Sequence, residues 1–299
     1  MLDDNDLGGS IASLRVTWVT RRPLFLCLGL VLLYPFFSVP VQGWVRPLAL
    51  LMGPIGARVV TEAAVWLYAS LVLAIVVYWE RRPLAGIGLH RPTLATAWFG
   101  IGGAVAIFAA GQTGAFVVYS LLHQPSHADA QTGLQVGGSV VYAICLAVRA
   151  GVIEEILFRG IAIEQLTTLT GNRALAAFVT TLAFVLVHAL HYDWAQLVPI
   201  AAVSVVLTGL YLWRRDLLAN IVAHVLLDGA GLVSLALQAP QTSPKFVTRH
   251  YECQWNHGLR AVLGRVWHYF RKYSVNPCGG VTRRGRSGSS LAADRARCP

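Results

Sequence analysis

The sequence predicts an all-α fold, a polytopic transmembrane helical bundle of about seven to eight spans. Three observations carry that reading. Of 299 residues, 56% are hydrophobic and 13% charged, with a mean hydropathy of +0.57; soluble domains carry about 25% charged residues. The apolar residues fall into runs of membrane-helix length, far longer than the strands of a membrane barrel. Between the runs, arginines recur at alternate connections, as loop charge does in helical membrane proteins.

The elements follow in order. Asp3, Asp4 and Asp6 open a polar start with no evident cleavable signal, and Arg21 and Arg22 precede a first span, about Leu24 to Val39. After Trp44 and Arg46, an amphipathic or half-buried piece, Leu48 to Ile55, precedes a second span, Ala63 to Tyr78. Arg81, Arg82 and Arg91 mark a cytoplasmic loop. The third span, Leu94 to Leu122, holds Gly100, Gly102, Gly103, Gly111 and Gly114, small residues that let helices pack closely. The loop His123 to Gln135 lacks Lys and Arg and belongs outside.

A fourth apolar run extends from about Val140 to Ile163. The turn 170–173 leads to a fifth span, Ala174 to Leu190; the sixth, Leu197 to Trp213, ends at Arg214 and Arg215; the seventh is Leu217 to Leu237. This path puts the N-terminus in the cytoplasm. It divides the chain into an N-terminal membrane region, 1–94, a core, 95–237, and a tail, 238–299.

The net charge of +10 is a property of the tail. Residues 1–239 hold 13 Lys/Arg against 12 Asp/Glu, whereas 240–299 hold 11 against 2. The tail reads as disordered and basic, without a nucleic-acid-binding motif, so no nucleic-acid partner is expected. Cys27 and Cys145 lie in apolar runs, and the tail's Cys253, Cys278 and Cys298 have neither metal-ligand nor disulfide spacing.

Function concentrates in the fourth run, where Glu154, Glu155 and Arg159 lie among apolar residues. Ionisable groups at a helix centre cost about 2.5–3.5 kcal/mol each and are functional by default. Glu155 and Arg159, four apart, stack on one helical face and can pair. Glu154, rotated about 100° away, is free to face a cavity. The fifth span adds Phe184 and His188; the seventh adds Asn220, His224 and Asp228 at intervals of four, on one face. His191 reads as interfacial, with Tyr192 and Trp194 beside it in an aromatic belt. A carboxylate, two imidazoles and an Asp suit either of two chemistries. They could activate a water against an amide and stabilise the oxyanion, or they could ligate Zn²⁺ with an open position for water.

Glu154-Glu155-x-x-x-Arg159, Phe184-x-x-x-His188 and His224-x-x-x-Asp228 together resemble the three ordered motifs of the CPBP family. That family comprises type II CAAX prenyl proteases and bacteriocin-processing or self-immunity proteins. The resemblance spans about residues 95–237 and implies an intramembrane endopeptidase. It implies that Glu154 and His188 activate water, that His224 and Asp228 stabilise the oxyanion, and that Glu155, Arg159, Phe184 and Asn220 support them. It favours a metal-free glutamate mechanism; with zinc, the ligands would be Glu154, His188 and His224. The expected partners are membrane lipids and a membrane-anchored or lipidated peptide, and the expected location is a bacterial cytoplasmic membrane. Two alternatives come from other classes: a non-catalytic immunity or scaffold protein of the same fold, and a proton-coupled transporter.

Overall fold

A computed structural model describes residues 25–31, 33–34, 51–53, 55–121, 123, 139–189 and 192–238. Most of the loop 123–135, His191 and the whole tail from Ala239 lie outside the described residues, as do parts of the first span and of the Leu48–Ile55 piece.

The described residues are helical throughout their long segments, with no strand among them. Helix α1 covers residues 25–31 and 33–34, and α2 is Ile55–Trp79. A single 3₁₀ turn, Leu84–Ile87, links α2 to α3, which is Leu94–Leu121. Helix α4 runs without a break through Val140–Glu154, a π-helical stretch Glu155–Ile163, and Glu164–Thr170. Helices α5, α6 and α7 are Arg173–His188, Trp194–Arg214 and Leu217–Gln238.

The helix starts follow from local chemistry, since a side-chain oxygen at the cap satisfies an N–H that has no partner in the first turn. Thr93 and Asp193 form capping boxes with Thr96 and Gln196. Ser139 and Asn172 accept from the N–H groups of Tyr142 and Leu175. Asp216 accepts from Ala219 N–H through one oxygen and from the Thr96 hydroxyl through the other, so the start of α7 is tied to the start of α3.

Among the described residues, α2, α3, α6 and α7 are long and apolar enough to cross a membrane. The apolar α5 is shorter, and α4 carries the charges. Large apolar side chains such as Leu67, Val105 and Val205 stand exposed on the outside of the bundle, where lipid is their natural solvent.

Two expectations are corrected. The second span begins at Ile55, eight residues before the expected Ala63, so the exposed Ile55 opens α2 rather than closing a half-buried piece. The longer helix takes in Glu62, whose carboxylate lies 3.1 Å from Arg149 Nε of α4. The fourth run also continues to Thr170, and between Glu155 and Ile163 it is π-helical rather than α-helical. Nearly all of that stretch is buried, because other helices pack on it from several sides.

Helix α4 is central. Its Ile153, Leu157, Phe158, Ile161 and Ala162 share a core with Val31 of α1, Val65 and Val72 of α2, and Phe184 of α5. On another face α4 packs along α7. Of the glycines in the third span, Gly100, Gly103, Gly111 and Gly114 meet neighbouring helices closely, whereas Gly102 faces open space. The approach of α4 to α7 depends on Gly151: a Cβ there would lie 2.5 Å from Val225 Cγ2 and 2.9 Å from Val225 N. Because backbone is in the way, Gly151→Ala should destabilise the bundle by about 1–3 kcal/mol, read as a lower thermal midpoint in detergent. Gly102→Ala should leave the midpoint unchanged or slightly raised, since helical Ala is favoured over Gly by about 1 kcal/mol.

Candidate active site

The Glu155 carboxylate is the centre of the polar interior. It is fully buried, and three donors from two helices converge on it. Oε1 accepts from Arg159 Nη1 and from His224 Nδ1, each at 2.8 Å; Oε2 accepts from Asn220 Nδ2 at 3.2 Å. The Asn220 amide nitrogen also donates to the Leu207 carbonyl at 2.8 Å, which fixes the orientation of that side chain between two acceptors. The spacing of four between Asn220 and His224 thus presents two donors to a single carboxylate.

Arg159 is 1% exposed, yet its charge is answered on several sides. Besides Glu155, its Nη2 donates to Ser204 Oγ at 2.9 Å. Its guanidinium carbon lies 4.4 Å from the Phe184 ring centroid, a cation–π contact in a dry environment. Phe158 meets Phe184 edge-on at 5.1 Å, holding that ring in place. The ion pair expected four residues apart forms, and Glu155 in addition orients His224.

Phe184 also governs His188. The two rings lie 4.5 Å apart, and His188 Nδ1 is 2.7 Å from the Phe184 carbonyl oxygen. A carbonyl oxygen only accepts, so Nδ1 carries the proton, and in the neutral imidazole Nε2 is left with its lone pair. The far side of His188 is covered by Tyr192, stacked at 5.9 Å. This ring therefore belongs to the site, although the sequence reads as an interfacial aromatic there.

Glu154 is half-buried, and no hydrogen bond or ion pair holds its carboxylate among the described residues. Arg149 donates to Tyr34 OH at 3.4 Å and faces Glu62. Asp228 Oδ2 stands 3.5 Å from His224 Nε2, so the two ring nitrogens of His224 face carboxylates on opposite sides. Ser204 and Glu62 were not legible as site neighbours: a serine in an apolar run and a charge at a span's edge become informative only once an arginine is seen beside each.

Among the described residues no group of three or more His, Cys, Asp or Glu is close enough to hold a metal ion. Glu154, His188 and His224 therefore do not make a ready-formed zinc site, and both nitrogens of His224 already face carboxylates.

Residues 136–230 match a family model described as type II CAAX prenyl endopeptidase Rce1-like. The matched stretch contains Glu154, His188, His224 and Asp228. No curated protein and no solved structure matches the chain.

The two adjacent glutamates should behave differently on substitution. Glu155→Ala leaves Arg159 buried without its counter-charge, a loss on the order of 3–5 kcal/mol, read as a large fall in thermal midpoint or as failure to fold. Glu154→Gln should leave the midpoint near that of the wild type.

Proposed function

We propose, from the match of residues 136–230 to the type II CAAX prenyl endopeptidase Rce1-like model, that the chain is an intramembrane endopeptidase acting on a membrane-tethered or lipidated peptide. The observation that carries this reading is the contrast between neighbouring carboxylates. Glu155 is fully buried and taken up by three donors, while Glu154 is half-buried and held by none among the described residues. One holds the site together; the other is left for chemistry.

In the proposed reaction Glu154 and His188 Nε2 remove a proton from a water molecule as its oxygen attacks the carbonyl carbon of the scissile bond. His188 is suited to this because its Nδ1 is committed to the Phe184 carbonyl. Negative charge develops on the carbonyl oxygen; His224, held at Nδ1 by Glu155, supplies its Nε2–H to it, with Asp228 3.5 Å from the same nitrogen. Collapse of the tetrahedral intermediate breaks the C–N bond. The proton taken from water passes to the leaving nitrogen, giving one carboxylate and one amine. An ionised Asp228 next to the oxyanion would oppose it, so the role assigned to Asp228 is to position His224 or to act as the neutral acid.

Purified protein in detergent or liposomes, incubated with lipidated and membrane-anchored peptides, tests this reading. Glu154→Ala and His188→Ala should each lower cleavage by about 10²–10⁴-fold, and a zinc chelator should leave the wild type active. Loss on chelation, restored by added zinc, would transfer the chemistry to a metal held by Glu154, His188 and His224. Full activity in Glu154→Gln would end the proposal. Asp228→Asn should retain substantial activity and Asp228→Ala should not; equal, complete loss in both would count against a positioning role.

A further inference from the structure

Phe184, His188 and Tyr192 stand at intervals of four, and their rings form one column. Arg159 begins it, its guanidinium carbon 4.4 Å from the Phe184 centroid. His188 follows 4.5 Å from Phe184, tilted by 42°, and Tyr192 lies 5.9 Å from His188 with the two planes within 25° of parallel. The backbone holds this last ring in register. Helix α5 ends at His188, yet Tyr192 N–H donates to the His188 carbonyl at 2.9 Å, so one further turn is made beyond the helix. The next residue, Asp193, caps α6 through its bonds with Gln196. Tyr192 is thus fixed on one side by the end of α5 and on the other by the start of α6.

An aromatic side chain at a membrane boundary ordinarily lies in the headgroup layer with one end wet. Trp194, two residues further on, is 55% exposed and fits that description. Tyr192 does not: it is half-buried, and its ring is laid on an imidazole. Among the described residues no hydrogen bond involves its hydroxyl; ring and backbone N–H make the contacts that hold it. His188 needs such a neighbour. Its Nδ1 bond to the Phe184 carbonyl, at 2.7 Å, fixes one edge of the imidazole, but a single bond is an axis about which the ring can rock. Phe184 blocks that motion on one face and Tyr192 on the other. The two contacts together define the ring plane, and the plane decides where the Nε2 lone pair points.

We propose, resting on the protease reading above, that Tyr192 is a positioning residue for the reaction: its ring, not its hydroxyl, holds the His188 imidazole in the plane from which Nε2 takes the proton of the attacking water. Proton transfer depends on geometry first, and a shift of about 1 Å at a reacting group can cost 10²-fold in rate. Without the Tyr192 ring the imidazole has open space on one face and swings into it, so its lone pair is aimed at the water for only part of the time. The loss falls on the chemical step, not on substrate binding. Stacking serves the next moment too, when His188 carries the proton and its positive charge lies between two aromatic faces.

Full-length Tyr192→Ala, Tyr192→Leu and Tyr192→Phe in detergent test this with two readouts. In cleavage of a lipidated peptide, Tyr192→Ala should lower kcat by about 10²-fold with KM little changed, and Tyr192→Phe should recover most of the lost rate. Tyr192→Leu fills the space without a flat face and should lose rate as alanine does, which keeps the test decisive where the alanine variant does not fold. A loss in Tyr192→Phe equal to that in Tyr192→Ala would assign the role to the hydroxyl and overturn the proposal; so would full activity in both Tyr192→Ala and Tyr192→Leu. The second readout needs no substrate: acylation of His188 by diethyl pyrocarbonate, followed by mass spectrometry of the peptide that contains it. His188 should react several-fold faster in Tyr192→Ala and Tyr192→Leu and at the wild-type rate in Tyr192→Phe, with His224 unchanged throughout. Equal rates at His188 in wild type and all variants overturn the proposal. Faster acylation in Tyr192→Ala, with no peptide cleaved by the wild type, rejects the protease reading and with it a part in the reaction, while leaving the hold of the ring on His188 established.

Discussion

The rest of the structure depends on the neutralisation of one buried charge, that of Arg159. A guanidinium cannot lose its proton in a protein interior, so its surroundings must supply both a counter-charge and partners for its donors. Glu155 provides the first, Ser204 and the face of Phe184 the second. Each of these partners then reaches further. Glu155 holds His224 and Asn220, which fixes the rotation of α7 against α4. Ser204 brings α6 to the same point, and Phe184 brings α5 and sets the tautomer of His188. A charge that would be a burden in an apolar bundle thereby specifies how four helices meet.

The same logic recurs at the edges. Glu62 and Arg149 admit one another into the bundle, and Glu164 gathers the arginines of two later helices. Carboxylates from three places along the chain are matched by arginines, and Glu154 stands apart from that matching. Its carboxylate is half-buried and bound by no hydrogen bond or ion pair among the described residues.

Much of this was legible in the sequence because membrane helices leave few ways to hide a polar residue. In a soluble domain His224 and Asp228 would be two residues among dozens; in an apolar helix their spacing already states which face turns inward. The Glu155–Arg159 pair follows from spacing alone. Three things did not follow. Ser204 gives no local sign of its role, since a hydroxyl in a helix commonly bonds to its own backbone. Tyr192 looks like any aromatic at a membrane boundary until the ring of His188 is found beneath it. The π-helical stretch has no sequence mark, since Glu155, Phe158 and Arg159 at i, i+3 and i+4 would share one face of an ordinary α-helix as well. The early start of α2 takes in Glu62, whose partner lies 87 positions later in the chain.

The pairing of Glu155 with Arg159 within one helix has a consequence for how the chain is made. A membrane protein is inserted as it is synthesised, and α4 leaves the ribosome before α5, α6 and α7 exist. If its arginine depended on a later helix, α4 would have to wait at the membrane surface or enter with a bare charge. Its counter-ion one turn away lets it enter already compensated. Arg149, the other arginine of α4, finds Glu62 on a helix made earlier. The helix at the centre of the bundle can thus be placed before α5, α6 and α7, and these can complete the site around it.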